Sequence, residues 1–153
     1  MISACVEGHK EIANILIHYK ANIETQDHDG WTPLNSACIN GHVEIVKILM
    51  LNKADIETPT NDGCTPLNSS CIKGHLEIVK ILIQNKANME APTKDGWTPI
   101  HSACTNGHTE IVNLLIQTKS NIETPNIDGW TPFNIACNNG QTEIVEILIQ
   151  NKA

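Results

Sequence analysis

The chain has 153 residues, with seventeen acidic side chains against ten lysines, no arginine and a net charge of −7. It therefore lacks the basic stripe that nucleic-acid binding requires, and no apolar run approaches a membrane span. Nor does the sequence open on a charged segment followed by a hydrophobic one, so the expectation is a soluble chain with no membrane insertion.

Residues 1–26 begin inside a predicted helix at Met1-Ile2-Ser3-Ala4-Cys5, without the turn and cap that precede its later counterparts. From Asp29 the pattern is complete. Asp29-Gly30 is a tight-turn dipeptide, glycine supplying the positive φ. Thr32 stands where a helix N-cap belongs, and Pro33 follows at the first helical position, where its missing N–H costs nothing. A short helix of about two turns runs through Leu34, Ala37 and Cys38 to a break at Gly41, too short to persist unpacked. A second helix opens near His42 with Glu44 in its first turn, and Ile45, Val46, Leu49 and Met50 make one buried stripe. The chain then turns extended through Ile56-Glu57-Thr58-Pro59 to the next Asp62-Gly63 turn.

This unit recurs. Gly30, Gly63, Gly96 and Gly129 are each 33 residues apart, and the ten-residue frame from Asp29 to Cys38 returns at Asp62 to Cys71, Asp95 to Cys104 and Asp128 to Cys137. A fixed period of this size decides the fold, because one unit cannot bury its apolar side alone and must lean on a near-copy. The chain reads as a single array over residues 1–153: a partial unit at 1–26, units at 27–59, 60–92 and 93–125, and a partial unit at 126–153. Both ends cut through a unit and neither has the polar outer face of a terminal one, so the expectation is a piece of a longer array.

Thr-Pro-Leu-Asn at 32–35 and 65–68, Thr-Pro-Ile-His at 98–101 and Thr-Pro-Phe-Asn at 131–134 carry a resemblance to the ankyrin repeat. Gly-His-x-Glu-Ile at 41–45, 74–78 and 107–111 and Gly-Gln-x-Glu-Ile at 140–144 extend it along the whole chain. The resemblance implies an all-α solenoid of stacked helix–turn–helix units with β-hairpin loops, and a non-enzymatic protein–protein interaction module. Two departures stand out. The family's usual His at the fourth place of the Thr-Pro motif survives only as His101, with Asn35, Asn68 and Asn134 elsewhere. The family's usual Gly after the second helix is replaced by Lys20, Lys53, Lys86, Lys119 and Lys152, each strained by up to about 1 kcal/mol if left-handed.

Cys5, Cys38, Cys71, Cys104 and Cys137 recur every 33 residues on the short helix. Stacked helices lie about 8–10 Å apart, too far for disulfides, so these are expected to be free core thiols in a reducing, intracellular and cytoplasmic setting. Cys64 stands where the other copies have Trp and is expected to be exposed. His9, His42, His75 and His108 each precede a Glu by two residues, but four periodic copies suit helix-start packing and capping better than a metal site. No phosphate loop or nucleophile frame appears, and no cofactor or catalytic residue is expected.

With the skeleton fixed by the period, function is expected where copies differ and face outward. On the family pattern that face comprises His28, Asp29, Trp31, Ile39 and Asn40, then Asn61, Asp62, Cys64, Ile72 and Lys73. Lys94, Asp95, Trp97, Thr105 and Asn106 continue it, and Ile127, Asp128, Trp130, Asn138 and Asn139 complete it. The indoles would anchor a partner, or else simply cover the neighbouring turn. The aspartates, with a second acidic row at Glu24, Glu57, Glu90 and Glu123, suggest a partner protein or peptide of basic character. The alternatives are self-association through uncapped ends, or a targeting segment of a larger multidomain protein or enzyme.

Overall fold

A computed structural model of the chain describes residues 1–152. Short and long helices alternate along it: α1 (Ile2–Val6), α2 (Lys10–His18), α3 (Pro33–Ile39), α4 (Val43–Leu51) and α5 (Pro66–Lys73), then α6 (Leu76–Gln84), α7 (Pro99–Thr105), α8 (Thr109–Gln117), α9 (Pro132–Asn138) and α10 (Thr142–Gln150). Among the described residues there is no β-strand, and no helix is long and apolar enough to cross a membrane. The expected β-hairpins are hydrogen-bonded turns instead. In each, two backbone bonds close the loop, as Thr60 N–H donates to the Cys64 carbonyl at 3.0 Å and Gly63 N–H to the Thr60 carbonyl at 2.8 Å.

The caps are those the sequence calls for. Thr32, Thr65 and Thr131 Oγ1 accept from the N–H of Asn35, Asn68 and Asn134 at 3.1, 3.3 and 3.3 Å, with proline next in each case. All five lysines after the long helices are left-handed, with φ between 59° and 75°.

Two rows result. Each odd-numbered helix packs on the next odd one, and each even-numbered helix on the next even one, with denser contact along the odd row. The reason lies in the small residues Ala4, Ala37, Ser70, Ala103 and Ala136, all buried at the same place in α1, α3, α5, α7 and α9. Small side chains let the backbones of that row approach closely. Between the rows lies one continuous core in which Leu34, Leu49, Leu67, Leu82, Ile100 and Leu115 are essentially inaccessible.

Polar groups tie neighbouring units together, and here the structure corrects the sequence reading. His42, His75 and His108 do not cap their helices. Their Nε2 donates instead to the carbonyls of Val6, Ile39 and Ile72 in the preceding unit, at 2.8, 3.1 and 3.1 Å. The imidazoles also lie under the glycine breaks: a Cβ on Gly8, Gly41 or Gly74 would come within 2.6, 2.6 and 2.5 Å of the ring. These glycines are required both by positive φ and by the ring beneath them.

The second acidic row is structural as well. Glu24, Glu57 and Glu90 Oε1 accept from the backbone N–H of Asp55, Asn88 and Asn121 in the next unit, at 3.0, 2.7 and 3.0 Å. These carboxylates hold one unit to the next and are spoken for as partner contacts. Two of the asparagines that replace histidine tie the short helix to the return segment of their own unit: Asn35 and Asn68 Nδ2 donate to the carbonyls of Thr58 and Ala91 at 2.8 and 3.0 Å. Asn134 turns inward to its own helix start, its Oδ1 accepting from Thr131 N–H at 3.3 Å.

Four of the periodic cysteines are buried, but Cys137 is exposed, contrary to expectation, because nothing packs on the far side of α9 among the described residues. Burial pushes the Cys5 thiol up to about 11 and those of Cys38 and Cys104 up to about 12, which leaves them protonated and inert.

Candidate functional site

The turn tips form a row of their own. Asn61, Lys94 and Ile127 N–H donate to the carbonyls of Asp29, Asp62 and Asp95 at 2.9, 2.9 and 3.2 Å, so each tip is bonded to the one before it. Within a tip, a polar side chain four residues ahead of the indole sets its backbone. Asp27 Oδ1 accepts from Trp31 N–H at 2.9 Å, Thr60 Oγ1 from Cys64 N–H at 3.2 Å, Thr93 Oγ1 from Trp97 N–H at 3.1 Å, and Asn126 Oδ1 from Trp130 N–H at 2.9 Å. Sequence reasoning missed these four residues. The available signal was a short polar acceptor at a fixed offset before every tip.

Between the tips and the odd row are two depressions. The larger, about 540 Å³, brings together Trp31, Ile39, Asp62, Cys64, Ile72, Asp95, Trp97, Thr105 and Asn106 from the expected face, with Thr60, Thr93 and Ser102 added. The smaller, about 260 Å³, brings Trp97, Thr105, Asp128, Trp130, Asn138 and Asn139 together with Asn126 and Ile135. His28, Asp29, Asn40, Asn61, Lys73, Lys94 and Ile127 line neither. Asn61 is occupied in tying tips together, its Nδ2 donating to the His28 carbonyl at 2.9 Å, and Asn40 Nδ2 is turned onto the Ser36 carbonyl at 2.8 Å.

Cys64 is not the exposed thiol expected from its place in the turn. It is 8% exposed and forms the floor of the larger depression. Its Sγ lies 3.4 Å from Ser69 Oγ, and burial raises its pKa. The short side chain sinks where an indole would stand out.

One indole rests on a buried ring. Trp97 meets the His101 ring edge-on at 5.9 Å between centroids. His101 is fully buried: its Nδ1 accepts from Thr98 N–H at 3.2 Å and its Nε2 donates to the Trp130 carbonyl at 3.2 Å, which fixes the neutral tautomer. Burial holds its pKa below the ordinary value. Among the described residues the carboxylates of Asp29, Asp62, Asp95 and Asp128 make no ion pair. The two ion pairs that do form join Glu44 to Lys10 and Lys47 on the even row.

An array of this kind can present a long contoured surface on a rigid frame; the histidine rings and buried thiols are committed to holding that frame. No curated protein is significantly similar to the chain. The family described as Ankyrin repeats (3 copies) matches residues 1–93 and 85–153. With that match over its length, and with the stacked helix pairs and periodic caps described above, the chain belongs to the ankyrin-repeat family, whose members are generally non-enzymatic modules of protein–protein interaction.

Proposed function

We propose that this chain is a non-enzymatic module that binds a partner protein through the face made by the turn tips and the outer ends of α3, α5, α7 and α9. The observation that carries this reading is the pair of adjoining depressions sharing Trp97 and Thr105, whose linings keep the aspartates Asp62, Asp95 and Asp128 but differ at Cys64 against the indoles and at Ile39, Ile72, Thr105 and Asn138. The bonds that join units repeat almost unchanged, so the variation falls on the surface and not on the frame. Large amphipathic side chains with few rotatable bonds lose little freedom on binding, which suits Trp31, Trp97 and Trp130 to the anchor role.

The test is a partner captured by photo-crosslinking through this face and then purified. A folded Trp97→Ala plus Trp130→Ala variant is expected to bind it at least about tenfold more weakly, and Leu51→Ser on the even row to bind it unchanged. Equal affinity of the tryptophan variant overturns the reading. Self-association is a second reading, favoured by Ile12 and Ile15 on α2 and Tyr19 just after it, which are 47%, 56% and 79% exposed. Sedimentation velocity separates the two: a sedimentation coefficient that rises with concentration, and falls back on Ile15→Lys, supports it.

A further inference from the structure

The larger depression lies over the one tip that lacks an indole. Three tips carry Trp31, Trp97 and Trp130, and the fourth carries Cys64. Where two indoles are adjacent, at Trp97 and Trp130, the space between is about 260 Å³; where cysteine replaces the indole between Trp31 and Trp97 it is about 540 Å³, roughly twice as large. That volume falls within the range of preformed ligand sites, about 300–1,000 Å³. Its walls are Trp31 and Trp97, its floor is Cys64 with Ile39 and Ile72, and Asp62 and Asp95 stand among its lining residues.

We propose that this cavity receives an arginine side chain from an extended segment of the partner. The inference rests on the reading of this face as a protein-binding surface and names the chemistry of one subsite within it. The two carboxylates are the deciding feature. Asp62 and Asp95 have no ion-pair partner among the described residues, no lysine lines the cavity, and the chain has no arginine of its own. Lys73 and Lys94 lie on the same face but pair with neither aspartate.

An apolar anchor would cover the indoles while taking water from two unpaired carboxylates, a penalty with nothing to offset it. A lysine would meet the charge, but its compact ammonium is strongly hydrated and ill suited to a broad aromatic slot. A guanidinium is flat and weakly hydrated. It stacks on an indole while its N–H groups reach a carboxylate, and its methylene stem covers the apolar floor. The backbone under each wall is set in advance, since the Trp31 and Trp97 N–H groups are held by Asp27 and Thr93, and the Trp97 indole also rests on His101.

The probe is a blocked Gly/Ser nonapeptide with one central arginine, compared with the same peptide carrying lysine, leucine or citrulline. The three indole N–H resonances of the labelled chain report binding. The arginine peptide is expected to shift the Trp31 and Trp97 signals saturably. Citrulline, which keeps the shape and removes the charge, is expected to bind at least about fivefold more weakly, as is Asp62→Asn plus Asp95→Asn against the arginine peptide. Cys64→Trp, which restores the residue of the other tips, is expected to remove binding without lowering the melting temperature. Trp31 and Trp97 stand in units whose next inward residues are the same, Ser36 and Ser102 matching Ser69.

Leucine or citrulline binding as tightly as arginine overturns the proposal. So does an effect confined to Trp130, full binding by Cys64→Trp, or no saturable shift with any peptide. If the arginine peptide fails while the Trp97→Ala plus Trp130→Ala variant still loses the captured partner, the subsite falls and the surface stands. If that variant also keeps the partner, the surface itself is wrong.

Discussion

The unit holding Cys64 and the unit holding Trp97 share a backbone and differ in what they show to solvent. Both have a Thr-Pro start, a glycine break over an imidazole or amide, a left-handed lysine and a backbone N–H, of Asn88 or Asn121, held by a glutamate of the preceding unit. They differ at the tip, cysteine against tryptophan, and at the buried bridge, Asn68 against His101. The first difference puts the larger depression over Cys64. The second changes which carbonyl is reached, Ala91 in one unit and Trp130 in the other, at 3.0 and 3.2 Å. Stability therefore depends on what is common to the units, and recognition has room to change where they differ.

The strongest test of the common frame is at the glycine breaks. Gly74→Ala forces a Cβ to 2.5 Å from His108 at φ +79°, and that ring is held by its bond to the Ile72 carbonyl. The expected loss is about 3 kcal/mol in urea unfolding. At Gly107 the neighbour is the Gln141 side chain, which can swing aside, and at Gly140 nothing lies within 4 Å. Substitution there is expected to cost about 1–2 and about 1 kcal/mol respectively. Equal losses at all three would show that the ring beneath the break does not matter.

Next in size are the glutamates between units. Glu57→Ala removes the 2.7 Å bond from Asn88 N–H and is expected to cost about 1 kcal/mol. Glu123→Ala is expected to be nearly silent, because among the described residues its carboxylate accepts from no following unit. Lys86→Gly and Lys119→Gly, at φ 66° and 75°, are expected to raise stability by up to about 1 kcal/mol each, read as a higher melting temperature.

The buried bridge gives the smallest effect near neutral pH and a distinctive pH dependence. His101 is held neutral by burial, its pKa below the ordinary 6.5. As pH falls below 6.5 the unfolded chain takes up this proton before the folded one does. The stability present above 6.5 is thus lost on acidification, until the folded ring titrates too. His101→Asn, copying its neighbours, is expected to change stability at pH 7 by less than about 1 kcal/mol and to flatten the acid limb. In the reverse exchange, Asn68→His is expected to add stability, since Asn68 Oδ1 is buried without a protein partner among the described residues.

The period, the Thr-Pro starts and the left-handed lysines were legible because each depends on residues next to one another in the chain. The role of Glu24, Glu57 and Glu90 was not, because the partner N–H lies 31 residues on and is identified only when units are stacked. Nor was the bridging role of His42, His75 and His108, whose carbonyl partners lie 36 residues back. Cys64 misled for a different reason: position in a turn suggests exposure, but side-chain length decides whether a residue fills the gap between flanking indoles or lies at its floor. The candidate face was legible as a set of varying positions; its division into two depressions of unequal size was not.

The central claim is that the frame is closed to partners and the tips are open to them. Hydrogen–deuterium exchange on the chain with its crosslink-identified partner bound tests this most directly. The account predicts new protection at the tips, residues 28–31, 61–64, 94–97 and 127–130, and along the ends of α5 and α7 beside them. Protection concentrated instead on α2, α4, α6 and α8, with the tips unchanged, would contradict it.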